Sequence, residues 1–414
     1  MTPPNINPRP LLSLEEALQR LVAGAQPRRI AQTETVSSFD AMGRVLAEDV
    51  CSGLDVPPAD NTSMDGYALR TADVTAPGTV LPVSQRIPAG VVGTPLQPGT
   101  AARIFTGGQV PPGADAVVMQ EQCVALSGAG LGQVQVDVVP RAGQWIRRAG
   151  EDVRRGATVL RRGDRLSPQA LGLAASVGAA NLSVCRRPRV ALFSTGDELV
   201  MPGEPLKPGA IYNSNRYTLR ALLQAAGCEV QDLGIVPDRL EATRDALRQA
   251  AAGSDLILTS GGVSVGEEDH LRPAVMAEGA LDLWQVAMKP GKPLAFGHVG
   301  EALFIGLPGN PVSSYVTFLL AVAPVLRALQ GMDPAGPPAL QLRADFDWPK
   351  PDRRREFVRT RLNPAGALEL FANQSSGVMT STVWADGLVD IAAGQTIQRG
   401  DAVRFLSLDG LTWR

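Results

Sequence analysis

"DLILTSGGVSVGEEDH", residues 255–270, decides how this chain is read. It opens on a short apolar run, passes through Gly261 and Gly262, and ends on Glu267, Glu268 and Asp269. An apolar run of this length, bounded by glycines, reads as a buried strand. Its neighbours supply the rest of a pattern. "RVALF", "CEVQDLGIV" and "ALFIGL" read as strands, and "SNRYTLRALLQAAG", "RLEATRDALRQAAAG" and "NPVSSYVTFLLAVAPVLRALQ" as helices. Strands alternating with helices imply βαβ units, so residues 186–330 are expected to form an α/β domain around a largely parallel sheet. The stretch also poses a chemical question. Glycines that bare backbone N–H groups invite an oxyanion, whereas a row of carboxylates repels one.

The regions on either side differ in character. Residues 51–155 carry short β-rich runs punctuated by proline and glycine, which points to a small inserted β domain. Residues 11–50 and 156–185 then form one discontinuous helical domain. Ser13 and Glu16 have capping-box spacing, Gly24 is the expected stop of that helix, and "FDAMGRVLAED" is expected to add a second short helix. "SPQALGLAASVG" begins another, with Pro168 at its first position and Gly178 at its end. After the proline-rich "GMDPAGPP", residues 335–414 return to short strands and are expected to close as a small β barrel. The fold class is therefore multidomain α/β.

Composition narrows the function. The 414 residues are 44% hydrophobic and 19% charged, with a net charge of −2. That leaves no basic footprint for nucleic acid and no polybasic patch for a membrane. No apolar run reaches the ~20 residues of a span, and the N-terminus lacks a signal-peptide pattern, so a cytoplasmic location is expected. Cys51, Cys123, Cys185 and Cys228 are scattered, and His270 and His298 are the only histidines. A metal ion would have to bind through oxygen, which favours Mg²⁺.

In a doubly wound sheet, ligands sit beyond the carboxyl ends of the strands. Polar loops occupy four such ends here: Asp197 and Glu198 after "VALFSTG", Asp238 after "LGIVP", the opening stretch, and Pro308, Gly309, Asn310 and Pro311 after "LFIGL". Each alone reads as a turn with a helix cap; together, three of them carrying carboxylates, they read as a pocket. Gly261, Gly262 and Ser264 suit an oxyanion's close approach, although no Gly-Lys-Ser/Thr makes this a Walker loop. Lys289 and Lys292 in "MKPGKP" are surface charges or phosphate contacts. Asp60 and Asp65 in "PPADNTSMDGYALR", Thr106 in "RIFTGGQVPPGAD", and Glu151 and Asp152 in "IRRAGEDVRRG" add acidic loops from the β domain. An anion and carboxylates share a pocket when Mg²⁺ bridges them. The residues thus point to a Mg²⁺-dependent enzyme acting on a phosphate-bearing small molecule.

"DNTSMDGYA", "RIFTGGQVPPGADAVVMQE", "RRAGED", "VALFSTGDEL", "SGGVSVGEEDH", "MKPGKPLAFG" and "GLPGNPVSS" occur in the order that resembles the molybdopterin molybdenumtransferases, relatives of the gephyrin E domain. The motifs run from about residue 11 to 330. The resemblance implies a molybdopterin-binding fold for the central domain and a homodimer with sites shared between subunits. It implies the reaction of molybdate with adenylylated molybdopterin to give molybdenum cofactor and AMP. The functional residues it implies are Asp65, Thr106, Asp152, Glu198, Asp238, Asp269, Lys289, Pro308 and Pro311, with Lys292 and Asn310 as lesser members. The expected Mg²⁺ ligands are Glu198, Asp238 and Asp269. The pterin-adenylating enzyme and molybdoenzyme chaperones are the contacts to expect. Adenylyl transfer from ATP to molybdopterin, or a scaffold role like that of the gephyrin-related domain, are the alternatives. One departure stands out. Gln285 occupies the position, four before Lys289, where the family usually has a basic residue.

Overall fold

The computed structural model describes residues 11–263, 270–336 and 338–413. Its centre is a six-stranded sheet of β1 (Arg189–Thr195), β2 (Glu229–Val236), β3 (Leu256–Ser260), β4 (Gly279–Gln285), β5 (Pro293–Val299) and β6 (Ala302–Leu307). The spatial order is β2-β1-β3-β6-β5-β4. The first four of these are parallel. The sheet is thus largely parallel, as expected, with one exception: β5 runs antiparallel to both β6 and β4, so it alone is reversed. The reason is local. Only Gly300 and Glu301 separate β5 from β6, with Gly300 at φ 55°. A two-residue turn can join only antiparallel strands, whereas a parallel partner needs a long crossover.

Residues of β1, β3 and β6 are buried on both faces because helices cover both. On one face, Val190, Leu192, Leu256, Leu258 and Ile305 pack against Leu219 and Leu223 of α3 (Ser214–Ala225) and Val312 and Val316 of α6 (Pro311–Gln330). On the other, Ala191, Phe193, Ile257 and Phe304 meet Leu247 of α4 (Leu240–Ala251) and Ala274 and Val275 of α5 (Leu271–Glu278). Each fully buried Val, Leu or Phe contributes about 1.5–3 kcal/mol. Helix α6, with a π turn at Phe318–Val322, is 20 residues long and apolar enough to cross a membrane by length and composition. This differs from the expectation that no apolar run reaches the length of a span, because Pro324 and the polar residues of Pro311–Gln330 do not interrupt the helix. The helix is nevertheless 94% buried inside the protein, as a core helix should be.

Within residues 11–50, the helical expectation holds only for α1 (Leu14–Ala25). Its capping box is present: Glu16 N–H donates to Ser13 Oγ at 3.1 Å and Ser13 N–H to Glu16 Oε2 at 2.8 Å. Gly24 is not its stop. The helix continues to Ala25, and a Cβ at Gly24 would lie 2.7 Å from the Phe296 ring, so this glycine admits β5. Instead of a second helix, Ser38–Asp40 forms a 3-10 turn, and Val45 and Leu46 bridge to Arg165 and Val184. Thr33–Ser37 pairs antiparallel with Asn181–Cys185. After that pair's first strand, Val50–Cys51 pairs with Thr158–Leu160, which brings the two ends of the intervening region together. α2 (Pro168–Ser176) starts at Pro168 with Ser167 as its cap.

Between those ends lies a sheet ordered Ala116–Met119, Gly66–Leu69, Ala101–Ile104, Thr79–Ile87, Gln133–Val136, Cys123–Leu126. At the C-terminus, Arg355–Leu362, Gly387–Ile391, Ala402–Ser407 and Leu340–Arg343 follow one another, and Leu368–Leu370 pairs with the first. A bridge between Ala344 and Leu368 closes the ring. Met288–Lys289, from the central region, adds to its edge in parallel with Arg355 and Glu356.

Candidate functional site

The parallel arrangement puts the loops after β2, β1, β3 and β6 along one edge of the sheet. Glycine lets them nest. A Cβ at Gly261 (φ 89°) would lie 2.8 Å from Thr195 O, and one at Gly262 (φ 63°) 2.9 Å from Thr195 Oγ1. Gly261 N–H donates to Leu307 O at 3.1 Å. Gly309 then comes beside Gly261, and its carbonyl accepts from Asn215 Nδ2 at 2.7 Å. Pro308, Gly309, Asn310 and Pro311 lead directly into α6, with Asn310 at the cap position and no side-chain capping bond. Behind these turns, Asn213 Nδ2, Asn215 Oδ1, Thr259 Oγ1 and Ser314 Oγ are buried and find no hydrogen-bond partner among the described residues. A buried polar group left unpaired costs about 1–3 kcal/mol, so these four atoms mark the polar floor of the edge.

The carboxylates gather at the other half of the edge. Asp238 N–H donates to Asp197 Oδ1 at 3.3 Å, which joins the β2 and β1 loops. Glu198 folds back over Gly196, whose φ of 144° and absent Cβ make room for it. The cap of α4 falls on Arg239 and not on Asp238. Glu198 and Asp238 therefore come from neighbouring loops and offer only hard oxygen donors, which suits Mg²⁺. Among the described residues, no three carboxylate, histidine or cysteine groups converge on one point. Asp269, the third expected ligand, lies outside the described residues, as do Ser264, Glu267 and Glu268.

The lysines divide. Lys289 Nζ is 2.8 Å from Glu356 Oε1 and 3.7 Å from Asp352 Oδ2, so it is held by the C-terminal barrel. Hydrogen bonding from Arg354 keeps the Asp352 carboxyl well below the usual carboxylate range. Lys292 and Gln285 are exposed, and Gln285 pairs with Pro293, next to Lys292.

The β-domain residues form two groups. Asp65 Oδ1 accepts from Thr106 N–H at 2.7 Å and Thr106 Oγ1 at 2.6 Å. These bonds from Thr106 hold the Asp65 carboxyl below its ordinary value, with a smaller contribution from Arg103. In the second group, Asp60 accepts from Arg148 Nη1 at 2.7 Å and Ala149 N–H at 2.8 Å. Burial pushes Asp60 up, but these bonds outweigh it and leave the carboxyl lowered. Glu151 Oε2 closes a turn onto Arg148 N–H, and the neighbouring Asp152 is exposed. Among the described residues, no hydrogen bond or ion pair joins Asp65, Thr106 or Asp152 to the sheet edge within one chain.

One group escaped the sequence reading. Arg359 is 1% exposed, and its guanidinium donates to Ser381 Oγ at 3.0 Å, Ser375 O at 3.2 Å and Phe357 O at 3.5 Å, all neutral. Burial pushes it down to about 10. The adjoining Ser376 O accepts from Val312 N–H at 3.0 Å, which ties this turn to the start of α6. Arg359 is thus a buried cation held by neutral oxygens, and one of them, Ser375 O, is one residue along the chain from the carbonyl that meets the start of α6. Its signal was a charge in the middle of the strand "REFVRTRL", which alternation alone does not distinguish from a surface position.

Residues 12–178 match the family described as MoeA N-terminal region (domain I and II), 191–328 the probable molybdopterin binding domain, and 341–408 the MoeA C-terminal region (domain IV). The chain is 39% identical to a molybdopterin molybdenumtransferase of Haemophilus influenzae, over 87% of this chain and 89% of that one. It is 37% identical to molybdopterin molybdenumtransferase 2 of Mycobacterium tuberculosis, over 92% and 98%. In structure it is similar to a molybdopterin biosynthesis MoeA protein from Pyrococcus horikoshii OT3, with a TM-score of 0.81, 28% identity, and coverage of 96% and 99%.

Proposed function

The chain belongs to the molybdopterin molybdenumtransferase family, enzymes of molybdenum-cofactor biosynthesis, and from that premise we propose that it takes molybdate and adenylylated molybdopterin to molybdenum cofactor and AMP. The observation that carries this reading is the sheet edge, where nested Gly261, Gly262 and Gly309 backbones stand beside Asp238 and Glu198. The glycine turns bring the main chain close to a phosphate, and the start of α6 presents its positive end. Asn213 and Asn215 supply buried amide groups that a bound substrate or water would satisfy. Lys292 and Arg359 provide positive charge for molybdate, Arg359 from a site of low polarity where its effect is largest, and Lys289, paired with Glu356, positions the loop that carries Lys292. Mg²⁺, held by Glu198, Asp238 and Asp269, would neutralise charge between the carboxylates and the phosphate.

Among the described residues, Asp65, Thr106 and Asp152 make no bond to this edge in their own chain, and we read them as facing the partner's sheet in a homodimer. The expected location is the cytoplasm. The test is direct: protein given adenylylated molybdopterin should release AMP when molybdate is added. Pyrophosphate released from ATP would instead mark adenylyl transfer, and binding without turnover a scaffold. For the shared site, mixing Asp65→Ala with Asp238→Ala chains should restore activity in confirmed heterodimers. No recovery would return both residues to one subunit.

A further inference from the structure

We propose that an arginine-lined cavity, bounded by residues 161–169, the end of α3 and the segment after α6, binds an organic phosphate carrying two or more negative charges. The cavity has a volume of about 1120 Å³. Arg161, Arg162, Arg165, Arg187 and Arg327 line it against only Asp164 and Asp333, an excess of three positive charges in a chain whose net charge is −2. Asp164 is already engaged, since its Oδ2 accepts from Arg161 N–H at 2.7 Å. Among the described residues, no carboxylate lies within ion-pair distance of Arg161, Arg162 or Arg187.

The inner guanidiniums are held in place by backbone carbonyls. Arg165 Nη2 donates to Ala225 O at 2.7 Å, Arg187 Nη1 to Gly227 O at 3.1 Å, and Arg327 Nη2 to Leu411 O at 3.4 Å. A carbonyl orients a guanidinium without cancelling its charge, so Arg187 is preorganised and uncompensated, and it repels Arg165, which in turn repels Arg327. Burial holds Arg327 below its ordinary value, with Arg165 adding to the effect. Burial does the same to Arg165, with Arg187 adding to it. A phosphate would relieve both costs, and the planar fork of arginine matches its oxygens in pairs.

Size and lining refine the class. A single oxyanion would leave most of the space empty, while organic ligands occupy pockets of roughly 300–1,000 Å³. Met42, Leu166 and Met332 give an apolar wall for a ring or base. No residue of this lining belongs to the sheet edge described above, so the site is separate from that chemistry. Its walls come from five stretches far apart in sequence, around residues 42, 161–169, 187, 224–227 and 327–336, and a ligand there would tie them together.

The test uses the full chain, with pyrophosphate, ATP, AMP and adenosine in turn, by calorimetry at two salt concentrations. Pyrophosphate and ATP should bind saturably, more weakly at high salt, and adenosine should not bind. The double variant Arg161→Ser/Arg162→Ser changes two exposed side chains and should keep its fold by circular dichroism. It should bind pyrophosphate about tenfold more weakly or worse, as the loss of a charged hydrogen bond implies, with AMP release on molybdate unchanged. Asp238→Ala should bind pyrophosphate as the parent does. The proposal is overturned if pyrophosphate and ATP fail to saturate at millimolar concentration, if adenosine binds equally, or if Asp238→Ala loses the binding while the arginine variant keeps it.

Discussion

Lys289 Nζ lies 2.8 Å from Glu356 Oε1, a carboxylate that is 3% exposed, so the first lysine of "MKPGKP" is moored to the C-terminal barrel. Glu356 also accepts from Trp348 Nε1 at 2.9 Å. Lys289→Ala would leave that buried charge with one neutral donor. Breaking a buried pair costs about 3–5 kcal/mol, but the lysine is 47% exposed and solvent screens it, so about 1–2 kcal/mol is expected. The unfolding midpoint in urea should fall for Lys289→Ala and stay put for Lys292→Ala. Adding Glu356→Gln to Lys289→Ala should recover part of the loss; equal midpoints for Lys289→Ala and parent would refute the mooring.

Gln285 and Lys292 are separated by a single register step, since Gln285 pairs with Pro293. Both are exposed. A cation restored by Gln285→Lys would act through water, where a charge ~6 Å away contributes about 0.7 kcal/mol. The molybdate concentration for half-maximal rate should therefore drop about threefold at low salt, and the gain should fade at high salt. Superimposable rate curves at low ionic strength would place Gln285 away from the oxyanion.

Asp65 gives a pH signature. Its carboxyl is held below the ordinary value chiefly by the side-chain and backbone bonds from Thr106. The folded value is lower than the unfolded one, so the stabilisation is complete above the unfolded value and disappears as pH falls through the folded one. Carbon-detected NMR titration should find the Asp65 midpoint low in the parent and raised in Thr106→Val. A midpoint that ignores the substitution would mean that Thr106 does not set this charge.

How far the sequence could be read follows from what each residue had to reveal. β1, β3 and β6 were legible because strands buried on both faces are apolar throughout. "FDAMGRVLAED" was not, because Ala, Met and Leu favour a helix while the decisive contacts, Leu46 N–H to Asp164 O and Ala47 N–H to Ser183 O, come from over 100 residues away. The glycines and carboxylates of the sheet edge announced themselves by position after strands. Lys289 was found as a charge, but its partner Glu356 could not be, since pairing across an interface of two regions leaves no local trace. Arg359 stayed hidden for the same reason: burial is a property of the closed ring.

Arg359 offers a test that separates binding from folding. Because its acceptors are neutral, Arg359→Met strands no buried carboxylate, but Ser375 O and Phe357 O lose a donor, so the barrel should stay folded with stability lowered by about 1–3 kcal/mol. Losing a charged donor should raise the half-saturating molybdate concentration about tenfold or more. A collapsed barrel would make the arginine structural, and an unchanged molybdate curve would remove it from the site.

The central claim is insertion coupled to AMP release, and the most direct measurement counts both products in one reaction. Full-length protein is given adenylylated molybdopterin and molybdate, and AMP and pterin-bound molybdenum are quantified over time, with and without excess EDTA. The account predicts one AMP for each molybdenum incorporated, no AMP burst without molybdate, and loss of both products in EDTA. AMP released at the same rate without molybdate, or molybdenum incorporated at full rate in EDTA, would contradict it.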